Sequence, residues 1–153
     1  FFEALTNCVN SLQTCQFTMF AYLLEPALSK YTPDTTLKFL MQNFPGLAIM
    51  SMDFSIYTKL WNSVVGENLS NSQFLEAGHR IHLLERYMNT REGIDHTYDT
   101  LPPRMLNEKL FTDRKGHTVP LDKMLQKYYK LRGFDEQGIP KNETLKKYGI
   151  LTT

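Results

Sequence analysis

The chain has 153 residues, and its 17 Lys and Arg nearly cancel 16 Asp and Glu, leaving a formal charge of +1. A chain of this size buries roughly two-thirds of its unfolded surface around one core, and so near-neutral a balance gives no electrostatic basis for binding nucleic acid or an anionic membrane. Its apolar stretches, such as Phe17 to Leu24, fall well short of the ~20 residues a bilayer span needs, so neither nucleic acid nor a membrane is expected as a partner.

The sequence opens Phe1-Phe2-Glu3-Ala4-Leu5, without an initiator Met or the n- and h-regions of a signal peptide, and reads as a cut inside a longer chain. Two cysteines, Cys8 and Cys15, are too few for a secreted disulfide framework and point to a reducing, cytoplasmic compartment.

Residues 1–9 and 16–31 read as helices, the second through Phe17, Phe20, Ala21, Leu24 and Leu28 at spacings of three and four. Pro26 removes an intrahelical hydrogen bond and predicts a bend near Leu24. Between the two helices lies a turn from Asn10 to Cys15. Thr32-Pro33-Asp34 is expected to start a further helix that runs to Phe44 and is stopped by Pro45-Gly46, then an apolar connector over 47–52. Another helix is expected from Asp53 to Val65, ended by Gly66.

The longest helix is predicted over 71–89, after a Ser/Asn cluster suited to capping. Gly78 costs ~1 kcal/mol relative to Ala inside it, which calls for close helix packing as compensation. The chain then has loop character through Pro102-Pro103, since a double proline blocks helix and central strand alike. Pro120 starts a helix closed by Gly133, with Lys130 and Arg132 favourably placed at its C-terminal dipole. A last short helix runs from Asn142, as candidate cap, to Tyr148-Gly149. No segment alternates cleanly and no Asn-Gly or Asp-Gly hairpin occurs. The expectation is one all-α domain over 1–153, an irregular multihelical fold of six to seven helices without significant sheet.

Three constellations carry possible chemistry, each beside a plainer reading. The cysteines lie seven residues apart, about 10 Å along a continuous helix, too far to share a metal. Each reads either as a small buried hydrophobe or, for Cys15 in its turn, as a thiolate reaching out to a cluster whose other ligands come from elsewhere. His79 and His82, with Glu85, are spaced either for a metal or as a solvated helix face. The charges of Arg86, Arg91, Asp99, Arg104 and Arg132 to Asp135 surround the long loop, and read as its anchors or, for Arg91 and Arg104, as anion binders.

The run Gly78-His79-Arg80-Ile81-His82-Leu83-Leu84-Glu85-Arg86-Tyr87-Met88-Asn89-Thr90-Arg91-Glu92-Gly93, followed by Asp99-Thr100-Leu101-Pro102-Pro103-Arg104, carries a resemblance. It is similar to the C-terminal region of the aldehyde ferredoxin oxidoreductase family, where G-x-R-x-x-x-L-x-R-x-x-N-x-R-x-G precedes D-x-L-P-x-R. The match continues through Leu121 to Asp135, Gly138-Ile139-Pro140 and Leu145 to Leu151.

These blocks are mainly architectural in that family; the chemistry rests on the turn near the N-terminus. There the family has a D-x-x-G-L-C-like motif that touches a pterin and supplies one cysteine to a [4Fe–4S] cluster. The resemblance therefore implies Cys15 as the cluster ligand and Asn10, Gln13 and Thr14 as the pterin-side residues. Asn10 stands in place of the acidic residue and Gln13 in place of the glycine. It implies a parent enzyme that oxidises aldehydes to carboxylic acids at a tungsten or molybdenum bis-pterin and passes electrons to ferredoxin. In such an enzyme the remaining ligands come from N-terminal cofactor-binding domains of the same chain, and this piece is inactive alone. A non-catalytic helical module of the same family is the alternative.

Overall fold

The computed structural model describes residues 1–17, 33–44, 46, 52–109 and 116–151. Most of the helix expected over 16–31, with its bend near Leu24, and residues 47–51 of the connector lie outside them. The described residues contain helices α1 (Phe2–Ser11), α2 (Asp34–Asn43), α3 (Ser55–Val65), α4 (Asn71–Arg91), α5 (Pro103–Asn107), α6 (Leu121–Arg132) and α7 (Asn142–Lys147), with a 3-10 turn over His96–Tyr98. No strand occurs among them beyond an isolated antiparallel bridge between Phe134 and Pro140, so the fold is all-α and multihelical. None of these helices is long and apolar enough to cross a membrane.

The contacts group into two compact units, Phe1–His82 and Leu83–Thr153, with the first part of α4 belonging to one and the rest to the other. In the first unit α1 buries Ala4, Leu5, Cys8 and Val9, a stripe at helical spacing. Leu5, Cys8 and Val9 meet Tyr57 of α3 and Phe74 of α4, with Trp61 and Leu75 packed around them. Asp53 accepts from the Ser55 amide at 2.9 Å at the start of α3.

The start of α4 is a reciprocal capping box. The Ser70 amide donates to Gln73 Oε1 at 2.9 Å, and the Gln73 amide donates to Ser70 Oγ at 3.3 Å. Gly78 then sets the approach of α4 to α1. A Cβ there would lie 2.1 Å from the Ala4 carbonyl oxygen and 2.7 Å from Cys8 Sγ. The Asn7 side chain donates to the Gly78 carbonyl at 3.3 Å across the same contact, and Cys8 Sγ donates to the Phe74 carbonyl at 3.0 Å. The entropic cost of a mid-helix glycine is met by packing that no larger residue permits.

In the second unit Leu83, Tyr129, Phe134 and Leu145 form the core, flanked by Tyr87, Leu125, Tyr128 and Tyr148. Gly133 ends α6 in the left-handed region at φ 70. Thr144 Oγ1 donates to its carbonyl at 2.9 Å, tying α7 to the end of α6.

Several helix boundaries differ from expectation, among them those at Pro103 and Asn142. Pro103 does not block helix: it stands at the first turn of α5, where its missing N–H would be unsatisfied anyway. Asn142 is not the cap of α7; Lys141 holds that position, with no side-chain cap bond, and Asn142 is already helical.

Candidate functional site

Helix α1 extends two residues further than its apolar pattern suggests, to Ser11, whose hydroxyl donates to the Asn7 carbonyl at 2.9 Å. Asn10 is thus on the last helical turn and not in the loop. Beyond the Leu12 cap the Gln13 amide donates to the Asn10 carbonyl at 2.9 Å and the Thr14 amide to the Val9 carbonyl at 3.4 Å. These two bonds form a Schellman closure, which requires a left-handed residue just past the cap. Gln13 supplies it at φ 55, in the conformation that glycine adopts without a Cβ penalty.

Thr14 Oγ1 adds a bond to the Val9 carbonyl at 3.2 Å, so its hydroxyl is used inside the turn. Gln16 Nε2 donates to Asn10 Oδ1 at 3.2 Å, bridging the turn from one end to the other. The closure brings Asn10, Gln13, Thr14 and Cys15 onto one short segment, with Asn10, Gln13 and Cys15 exposed.

The two cysteines differ sharply. Neither is in a disulfide. Cys8 is 2 % exposed; burial pushes its thiol up to about 11, against a smaller opposite pull from a backbone hydrogen bond at Gly78. That is the inert thiol of a core residue. Cys15 is exposed on a hydrogen-bonded turn. A [4Fe–4S] cluster takes four ligands, and no group of three His, Cys, Asp or Glu side chains is placed to hold a metal among the described residues.

Of His79, His82 and Glu85, Glu85 is exposed and His82 turns toward α1. His82 Nε2 lies 2.8 Å from Glu3 Oε1 of α1, on the packed side of the long helix, and its side chain keeps 21 % exposure. Phe74, Gly78 and His82 fall on one stripe at intervals of four, which is why the histidine turns toward α1.

Among the charged residues of the second unit, Arg86 and Asp99 form an inward network, Asp135 accepts from the Gln137 and Ile139 amides at 2.9 Å each, and Arg132 lies over the Tyr128 ring, 5.8 Å from its centroid. Arg86 grips Asp99 with two parallel bonds, at 2.8 Å and 2.6 Å, while its Nε donates to the Gly138 carbonyl at 2.8 Å. The Tyr129 hydroxyl donates a short hydrogen bond to Asp99 Oδ2. Burial would raise the Asp99 carboxyl, but the Arg86 and Tyr129 bonds and the Arg86 charge together hold it below its ordinary value. Burial and the bond to Asp99 push the Tyr129 phenol up to about 12. Arg86 is thus the anchor of the 94–102 loop.

Arg91 lies over the Tyr87 ring, 6.0 Å from its centroid. Arg104 pairs with Glu108 at 3.3 Å in solvent, a contact worth little on its own. The role of the Tyr129 hydroxyl escapes sequence reasoning, which reads the residue as a core aromatic.

The sequence matches the family model described as aldehyde ferredoxin oxidoreductase, domains 2 and 3, over residues 1–150. Relatives include the tungsten-containing aldehyde ferredoxin oxidoreductases of Pyrococcus horikoshii and Pyrococcus furiosus, each 42% identical over 96 residues, which is 61% of this chain and 16% of the relative. The protein of the same description from Thermococcus kodakarensis is 40% identical over 96 residues, with the same coverage. The matched region thus spans about 16% of the length of these curated relatives. With the family model covering nearly the whole chain, from the Cys15 turn through the Arg86–Asp99 network, this protein belongs to the aldehyde ferredoxin oxidoreductase family.

Proposed function

We propose that this chain is the C-terminal helical part of an aldehyde ferredoxin oxidoreductase. The whole enzyme converts an aldehyde and water to a carboxylic acid, two protons and two electrons, and the electrons leave through a [4Fe–4S] cluster to ferredoxin. When bound, a tungsten or molybdenum bis-pterin supplies the oxygen-transfer and two-electron chemistry.

The chain's own residues hold and shape. Cys15, as thiolate, gives one bond to the cluster. The segment Asn10, Gln13 and Thr14 borders the pterin, with Asn10 offering a neutral amide where a carboxylate would accept more strongly. N-terminal cofactor-binding domains of the same polypeptide supply the other ligands. The helical body walls the substrate channel and excludes water, and the chain alone is inactive. Two cysteines outside any disulfide accord with a cytoplasmic enzyme.

The observation that carries this reading is the family match over residues 1–150 together with an exposed Cys15 on a Schellman-closed turn. Anaerobic purification of the full-length protein, metal analysis, and an assay of aldehyde-dependent ferredoxin reduction test it. Tungsten or molybdenum at stoichiometric level with turnover is the expected result.

The departures at Asn10 and Gln13 favour a second reading, a family member retained as a helical module without catalysis. Absence of both metals and of turnover in the full-length protein selects it.

A further inference from the structure

Helix α3 is apolar on two sides. Toward the core of the first unit it turns Tyr57 and Thr58, with Trp61 packed beside them. On the opposite side Ile56, Leu60 and Val64 follow one another at intervals of four, so they share a face, and they are 40 %, 43 % and 80 % exposed. Lys59 is the only charged residue of this helix. The Ser63 hydroxyl, also on the exposed side, donates to the Lys59 carbonyl at 2.8 Å and is used within the helix.

A helix that meets water along one side ordinarily carries charged and polar side chains there, and one that is apolar around its girth is ordinarily buried. On α6 the exposed Met124 and Leu131 are interleaved with exposed Lys123, Lys127 and Lys130. The α3 stripe has only Lys59 beside it. Nor does the stripe lie on a frayed end. Gly66 closes α3 at φ 77 with its amide on the Asn62 carbonyl at 2.9 Å, and the Asn62 side chain exchanges two 3.0 Å bonds with the Leu69 backbone.

Three partly exposed aliphatic side chains by themselves fall well short of the ~800 Å² per partner that a separate protein or a second copy ordinarily buries. A neighbour on the same polypeptide is held at high effective concentration and needs a smaller seam. The matched region is 16% of the relatives' length, and the family description, domains 2 and 3, leaves a first domain outside it. We propose that the outer side of α3 seats the upstream, cofactor-binding part of the same polypeptide, whose apolar side chains close over Ile56, Leu60 and Val64. The proposal rests on this chain being the C-terminal part of a longer protein, and not on that protein's catalysis or on the role of Cys15. Absence of metal and turnover would remove the catalytic reading and leave this one standing.

The test is hydroxyl-radical footprinting of the full-length protein, read by mass spectrometry against the urea-unfolded protein. Val64, exposed in this chain, is expected to be modified several-fold more slowly than in the unfolded reference. Labelling of Val64 near the unfolded rate overturns the proposal. Amine-reactive cross-linking from Lys59, at the edge of the seam, identifies the occupant. Links within one polypeptide to lysines upstream of Phe1 are expected, whereas links only between copies in isotopically mixed protein would make the face a self-association surface and overturn it. Leu60→Gln keeps a good helix former and is expected to lower the thermal midpoint of the full-length protein and to raise Val64 labelling. A variant that changes neither also overturns the proposal, and the wild-type footprint decides if the variant does not fold.

Discussion

The two units use their polar residues in opposite ways. In the second unit four polar or backbone groups face inward: Arg86 bonds Asp99 and the Gly138 carbonyl, Tyr129 bonds Asp99, and together they hold a loop against a helical core. In the first unit the core is apolar, with Leu5, Val9, Tyr57 and Phe74 at its centre, and the polar residues of interest stand outside it on the turn after α1. The chemistry is assigned to a short exposed segment that the architecture leaves accessible.

If this division is right, the largest stability effect comes from the second unit. Asp99→Ala leaves the Arg86 guanidinium partly buried without its carboxylate and should cost about 2–4 kcal/mol, below the range for a fully buried pair because Asp99 keeps 23% exposure. Urea denaturation followed by circular dichroism checks it.

The same carboxylate sets a pH dependence. Its folded pKa lies below the ordinary value of about 3.9, so its contribution is complete above that ordinary value and is lost as pH falls through the folded pKa. The urea midpoint should drop on acidification below about pH 4, and Asp99→Asn should flatten that drop. An unchanged slope would place the acid sensitivity elsewhere.

In the first unit, Gly78→Ala drives a Cβ into the Ala4 carbonyl and Cys8 Sγ, and the forced separation of α1 and α4 should cost about 1–3 kcal/mol. Thermal unfolding with Trp61 as fluorescence reporter measures it. A neutral substitution would mean that the helices do not touch at this residue.

Thiol labelling sharpens the contrast within this unit. Exposed Cys15 should react with iodoacetamide at pH 8 while Cys8, buried and raised to about 11, stays unmodified until the protein unfolds. Mass spectrometry of the digested protein distinguishes the two sites, and equal labelling would break the distinction.

The smallest effect is a gain. Gln13→Gly should stabilise the fold by about 0.5–1 kcal/mol, the relief of left-handed strain less the added chain entropy of glycine, read as a rise in thermal midpoint.

Much of the fold was legible from periodicity. The apolar spacing of α3, α4 and α6, and the glycines that close α3 and α6, are local signals that tertiary packing did not override. The packing demand of Gly78 was also readable, because a mid-helix glycine asks for a compensating close contact. Terminal details were less so: a proline may block a helix or begin one, and only the path of the chain before Pro103 decides.

The bonds that pin the loop were not legible, since Arg86 reaches the Gly138 carbonyl 52 positions away and Tyr129 reaches Asp99 across 30. No local pattern encodes such pairings. At the candidate site, sequence named Asn10, Gln13, Thr14 and Cys15 by resemblance. It did not reveal that position 13 adopts a left-handed backbone, the conformation glycine takes without a Cβ penalty.

The central claim is that exposed Cys15, and not buried Cys8, gives this chain its part in an iron–sulfur site. The most direct measurement is the iron content and reduced-state EPR spectrum of the full-length protein in wild-type, Cys15→Ser and Cys8→Ala forms. The account predicts that Cys15→Ser loses or alters the [4Fe–4S] signal while Cys8→Ala retains it. A wild-type signal and iron content in Cys15→Ser would contradict the account.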